Sequence, residues 1–285
     1  MNFRSACAGY NSSPLMQSNR FSPAALFMLD TKFLLDPFTF HHRRESLGCT
    51  TFTQYLRQRY LRDRPAARAL SLVCRNGLYD RILFAEGLFE KALGVDSDIA
   101  NATRSDVITY ETASLDRNFR LTPSRSFPLI YSFHHLGTVS DVGGLLASAA
   151  KLLTPGGVFV FLGYCGPQHG ITDKHSVAIV NRFLKCLPNS ANARFTARAR
   201  FFEEGLTNRS SHMIQGAIES LFSDVEVVEL GGALAYPAWL NASFRPSYER
   251  DEDVSLTLLL QAMEVALFER RILNSIVKLI IARNP

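Results

Sequence analysis

Short apolar runs alternate with stretches of helical period along most of this chain. Ala69–Val73, Ala92–Asp96, Val107–Tyr110, Pro128–Phe133, Val158–Leu162, Val225–Leu230 and Ile276–Ala282 read as seven strands. Helices are predicted between them, over about Tyr79–Lys91, Val142–Leu153, Asp173–Leu187 (stopped by Pro188), Ser211–Phe222 and from Asp251 to about Leu273. The acids Asp251, Glu252 and Asp253 suit the positive end of the last helix dipole. Strand–helix alternation of this kind predicts an α/β fold, a doubly wound and mostly parallel sheet covered on both faces. Ahead of it, residues 1–50 carry Ser-Pro and Asp-Pro turn signals, and residues 53–64 read as an amphipathic helix ended by Pro65. The expected division is a cap or lid over residues 1–65 and a main domain over 66–285. An insertion over 163–222 would lie on the substrate side.

Composition narrows the function classes. The chain has 285 residues, 47% of them hydrophobic, enough for a full core. Mean hydropathy is +0.01 and no apolar run approaches the roughly 20 residues that cross a bilayer, so no membrane span is expected. Five cysteines, odd in number and without a Cys-x-x-Cys pair, argue against a disulfide framework or a zinc knuckle. With no leader pattern at the start, a reducing cytoplasm is the expected compartment. Charge is uneven: residues 1–200 hold 24 basic against 14 acidic side chains, whereas 201–285 hold 7 against 12. The densest basic run, Arg57, Arg59, Arg62, Arg64 and Arg68, reads as a solvated helix face. Neither a clear set of interleaved stacking aromatics nor a known nucleic-acid module accompanies it, and no nucleic-acid partner is expected.

In an open parallel sheet, ligands bind outside the carboxyl ends of the strands, near the point where strand order reverses. Gly77 lies in the first strand-to-helix loop, where a missing side chain lets backbone approach a ligand. Asp96 ends the second strand 19 residues later, where a carboxylate can accept from two ribose hydroxyls. That pair predicts a nucleoside-type cofactor. His134 and His135 follow the fourth strand at the same sheet edge, and imidazole is the side chain best poised as a base near neutral pH. His169 and His175, six apart, do not share a helix face, and no metal site is expected.

These stretches resemble the class I S-adenosylmethionine (SAM)-dependent methyltransferases. The resemblance rests on Leu70–Gly77, Gly94-Val95-Asp96, Leu129–Leu136 and Leu152–Val160, and Gly163-Tyr164-Cys165-Gly166-Pro167 resembles a bacterial small-molecule subgroup. It implies SAM as cofactor, held by Ser71, Val73, Cys74, Gly77, Asp96, Ser97, Ser114, Leu115 and Phe133. It also implies His134 or His135 as catalytic base, and a small-molecule acceptor, a secondary metabolite or sugar. Tyr164, His169, Tyr236 and Trp239 are the expected substrate contacts. In the family's first loop Ser71 stands where an acid is usual, a partner for the cofactor's ammonium group, and Val73 and Arg75 stand where the first two glycines are. Those departures keep two other readings open: a non-catalytic partner subunit on a degenerate methyltransferase fold, or the fold reused for a reaction without methyl transfer. A homodimer or a partner chain is compatible with each.

Overall fold

A computed structural model describes residues 52–99, 105–121, 125–166 and 211–231, with parts of 175–185 and of 263–284. Its elements run α1 (Phe52–Tyr60), β1 (Ala69–Leu72), α2 (Leu78–Ala85), β2 (Ala92–Asp96), β3 (Ile108–Thr112), β4 (Phe127–Phe133), α3 (Val142–Ala150), β5 (Leu153–Tyr164), α4 (Ile214–Leu221), β6 (Asp224–Gly231) and β7 (Val277–Arg283). The strands form one seven-stranded sheet in the order β3-β2-β1-β4-β5-β7-β6. β1 to β5 are parallel, and β7 runs antiparallel between β5 and β6. Strand order reverses between β1 and β4, so the carboxyl ends of those two strands flank the crevice expected to take a ligand. β1 and β2 are buried along their whole length, as the near-continuous apolar runs require of a sheet covered on both faces.

Three boundaries differ from the sequence reading, each for a non-local reason. α2 ends at Ala85 rather than near Lys91, because Gly87 turns the chain with φ +74° and the Ala66 amide then donates to the Leu88 carbonyl at 2.9 Å. α3 stops at Ala150, and β5 starts at Leu153, well ahead of the expected Val158. Thr154–Gly157, which reads as a turn, belongs to this strand. Leu153 pairs with Phe127, Gly156 takes φ +69°, and the Gly156 and Asn284 amides exchange hydrogen bonds with Asn284 and Gly157. β3 is displaced by one or two residues to Ile108–Thr112. Within the two remaining expected helices, positions 175, 178, 179, 182 and 185 and positions 263, 264, 266 and 267 are helical, and the rest of both lies outside the described residues.

α1 packs directly on the sheet. Phe52, Tyr55 and Leu56 belong to the same buried cluster as Ala69, Tyr131 and Leu279. Phe52 meets Phe133 of β4 edge-on at 5.6 Å. The hydroxyls of Tyr55 and Tyr60 both donate to Glu226 on the edge strand β6, and Arg59 pairs with the same carboxylate at 3.2 Å. Part of the basic run is therefore spent on intramolecular ion pairs, Arg57 with Asp63 and Arg59 with Glu226.

Gly94 shows how tightly the centre of the sheet is filled. A Cβ there would lie 2.4 Å from Tyr110 Cδ1 and 3.0 Å from Cys74 Sγ, and Tyr110 is itself buried. Gly94→Ala is expected to destabilise the fold by about 1–3 kcal/mol in urea titration, because the ring has nowhere to move. Gly143→Ala, with nothing within 4 Å of its added Cβ, should be neutral or slightly stabilising.

Candidate functional site

The loop after β1 keeps the backbone of a glycine-rich turn although two of its three left-handed positions carry side chains. Val73, Arg75 and Gly77 take φ of 57°, 53° and 68°, all in the left-handed region. This is an outlying conformation for a β-branched residue, and strain of about 1–3 kcal/mol per residue persists only where the surroundings impose it. Here they do. The Cys74 amide donates to the Val95 carbonyl at 3.2 Å, the Arg75 amide to Asp96 Oδ2 at 2.8 Å, and the Gly77 amide to the Cys74 carbonyl at 2.9 Å. Asn76 closes the turn: its Oδ1 accepts from the Leu78 amide, and its carbonyl accepts from Arg81 Nη1. The Val73 side chain is buried in the cluster that includes Leu93, Val95 and Leu136.

Asp96 is the pivot between the first two loops. Its Oδ1 accepts from the Ser97 amide at 2.7 Å and the Ser97 hydroxyl at 3.2 Å, while Oδ2 holds the Arg75 amide. Its own carbonyl accepts from the Ala113 amide, which brings the loop after β3 alongside. In that loop Ser114 donates to Asp116 at 2.8 Å and is exposed, with Leu115 half-buried beside it.

His134 also sits in left-handed backbone, at φ 62°. Its amide donates to the Leu162 carbonyl at 2.7 Å, an approach that Gly163 permits, since a Cβ there would lie 3.0 Å from His134 Cα. The ring packs on Tyr79 with centroids 5.5 Å apart. Neither ring nitrogen of His134, nor Nε2 of His135, finds a hydrogen-bond partner among the described residues, though all three are buried. Burial lowers the His134 pKa to about 3, with His135 adding to the shift. Burial and then Arg75 lower that of His135 to about 4, against the pull of Asp96. Both imidazoles are thus neutral at pH 7, able to give or take a hydrogen bond but weaker bases than the sequence reading expects. Burial, then Asp80 and Asp96, pushes the Cys74 thiol up, so it is no thiolate nucleophile.

The fold therefore gathers Val73, Cys74, Gly77, Asp96, Ser97, Phe133, His134 and His135 at the carboxyl ends of β1, β2 and β4, with Ser114 and Leu115 after β3. Ser71 and Phe133 are buried below that edge, and Phe133 packs edge-on against Phe52 and Tyr79. The space a Cβ would take at Gly77 is filled by the Tyr110 hydroxyl. Tyr164 ends β5 and is buried in the core, its ring against Gly166. His169, Tyr236 and Trp239 lie outside the described residues. Sequence reasoning missed Asp80, which is 1% exposed in the first turn of α2. A first-turn acid suggests only the helix dipole, and the available signal was that Asp80 shares a face with the buried Leu83. Among the described residues no group of three His, Cys, Asp or Glu side chains is placed to hold a metal ion, and no helix is long and apolar enough to cross a membrane.

A mostly parallel seven-stranded sheet with an antiparallel β7, carrying a left-handed turn after β1 and an acid at the end of β2, is the Rossmann-like arrangement of class I methyltransferases. The profile of a family described as methyltransferase domain matches residues 40–191, more than half of the chain, and the chain belongs to that family. No curated protein matches it. Among solved structures it is similar to phosphoethanolamine N-methyltransferase 2 of Haemonchus contortus in complex with SAM, at 15% identity and a TM-score of 0.42. That match covers 83% of this chain and 53% of the other, so this chain spans about half the length of that enzyme. It is also similar to a SAM-dependent methyltransferase from Mesorhizobium loti, at 22% identity and a TM-score of 0.41, covering 81% and 98%.

Proposed function

We propose that the chain binds SAM and transfers its methyl group to a small-molecule acceptor. The observation that carries this reading is the left-handed backbone at positions 73, 75 and 77, fastened to Asp96 through the Arg75 amide. The polar groups at the sheet edge fit a nucleoside ligand. Asp96 Oδ1 is taken by the Ser97 amide and hydroxyl and the Asp98 amide, while Oδ2 accepts from the Arg75 amide and keeps one lone pair, and buried imidazole nitrogens of His134 and His135 lack partners among the described residues. SAM supplies an activated methyl group on a sulfonium. Asp96 and the first loop would hold the nucleoside and Ser114 would lie by the base. His134 and His135, neutral and desolvated, would orient an acceptor hydroxyl or amine for in-line attack rather than store its proton. A secondary metabolite or a sugar is the acceptor class in view.

The test is calorimetric titration of the whole chain with SAM and with S-adenosylhomocysteine, beside Asp96→Ala. Micromolar binding lost in the variant supports the reading. A folded wild-type protein that binds neither overturns it and favours the partner-subunit reading, which the Val73 and Arg75 side chains support.

A further inference from the structure

We infer that Asp80 supplies, from helix α2, the carboxylate that receives the cofactor's ammonium group, in place of the acid missing at Ser71. The inference rests on the SAM-binding reading and adds a residue to it.

The geometry begins with one row across the sheet. Tyr110, Gly94, Ser71 and Tyr131 are register partners on β3, β2, β1 and β4, and in a parallel sheet such partners share a face. The Tyr110 ring lies over Gly94, and the small side chain of Ser71 leaves room between that ring and Tyr131. Asp80 fills that room. The Tyr131 hydroxyl donates to Asp80 Oδ1 at 2.7 Å. The Ser71 and Tyr110 hydroxyls face the same carboxyl group, and the Arg81 guanidinium acts on it from the next residue. The carboxyl group thus faces the β1 residue where the family's acid would stand.

Its second oxygen, Oδ2, is buried and has no hydrogen bond within normal donor–acceptor geometry. Leaving a buried carboxylate oxygen unpaired is costly, so the site is built either for its own proton or for an incoming donor. A primary ammonium provides charge as well as hydrogen bonds. The surroundings also favour a proton in the free protein. Burial raises the Asp80 pKa, and the three hydroxyls and Arg81 only partly oppose it. Arrival of an ammonium group would ionise the acid, releasing its proton to solvent. The other groups facing the carboxyl would stay silent: burial first, then Asp80, raises the pKa of Tyr110, Tyr131 and Cys74, so all three remain neutral.

The experiment is calorimetry with S-adenosylhomocysteine and with its analogue lacking the α-amino group, over a series of pH values in buffers of different ionisation enthalpy. The proteins are the wild type, Asp80→Asn and the double variant Ser71→Asp/Asp80→Asn, each checked for cooperative melting. The wild type should prefer the amino compound by ten- to a hundredfold, the range of a charge-assisted hydrogen bond, and should release a proton as it binds. Asp80→Asn should lose both the preference and the proton release, and the double variant should regain the preference. A wild type that binds both compounds equally, or an Asp80→Asn protein that keeps the preference, overturns the inference while SAM binding stands. A wild type that binds neither compound overturns the functional reading and this inference with it.

Discussion

Acidification is expected to unfold this protein well before its carboxylates are fully protonated. His134 and His135 are neutral in the fold, with pKa values of about 3 and about 4, against an ordinary value of 6.5. Their folded pKa values are depressed, so the unfolded chain takes up protons that the native state refuses. The stability this reflects is complete above about pH 6.5 and drains away as pH falls toward 4 and 3, a loss of order a few kcal/mol. The physical cause is burial of the rings, both nitrogens of His134 and Nε2 of His135 having no hydrogen-bond partner among the described residues. The check is urea denaturation from pH 7.5 to 4.5, with His134→Asn and His135→Asn beside the wild type. Asparagine tolerates the left-handed backbone at 134 and does not titrate. The variants should show a flatter profile. Equal slopes would mean that the histidines are not the source.

Phe52→Ala is expected to cost about 3–5 kcal/mol, the range for emptying a buried aromatic site. The sequence places residues 1–65 apart from the main domain, but Phe52 is 2% exposed and touches Phe133 of β4 directly. Phe133 in turn meets Tyr79 edge-on, with centroids 5.7 Å apart. If α1 were a separable lid, the variant would lose little global stability and unfold in two steps. A single transition at much lower urea is the expected result, with the loss read equally by fluorescence and circular dichroism.

The sheet was legible because its strands are buried on both faces and announce themselves as unbroken apolar runs, as Ala69–Leu72 and Ala92–Asp96 do. The Gly77 and Asp96 spacing likewise survived translation into structure, since strand ends fix it. What escaped was set by distant neighbours. Thr154–Gly157 has the composition of a turn and becomes strand only because Phe127 pairs with Leu153 just ahead of it and Asn284 exchanges hydrogen bonds with Gly156 and Gly157. Asp80 looks like a dipole-matching surface acid; its burial depends on Ser71 being small, on another element, while Tyr110 and Tyr131 bracket it. The histidine pair was located correctly at the sheet edge, but its proton affinity depends on desolvation, which no residue pattern displays.

The turn after β1 behaves as a casting: its shape comes from the mould of Val95 and Asp96 pressed around it, and the poured residues conform. Glycine is then a convenience at two of its three left-handed positions rather than a requirement. Counting glycines in such a loop measures the ease with which the bend is made, and says little about whether the bend is there.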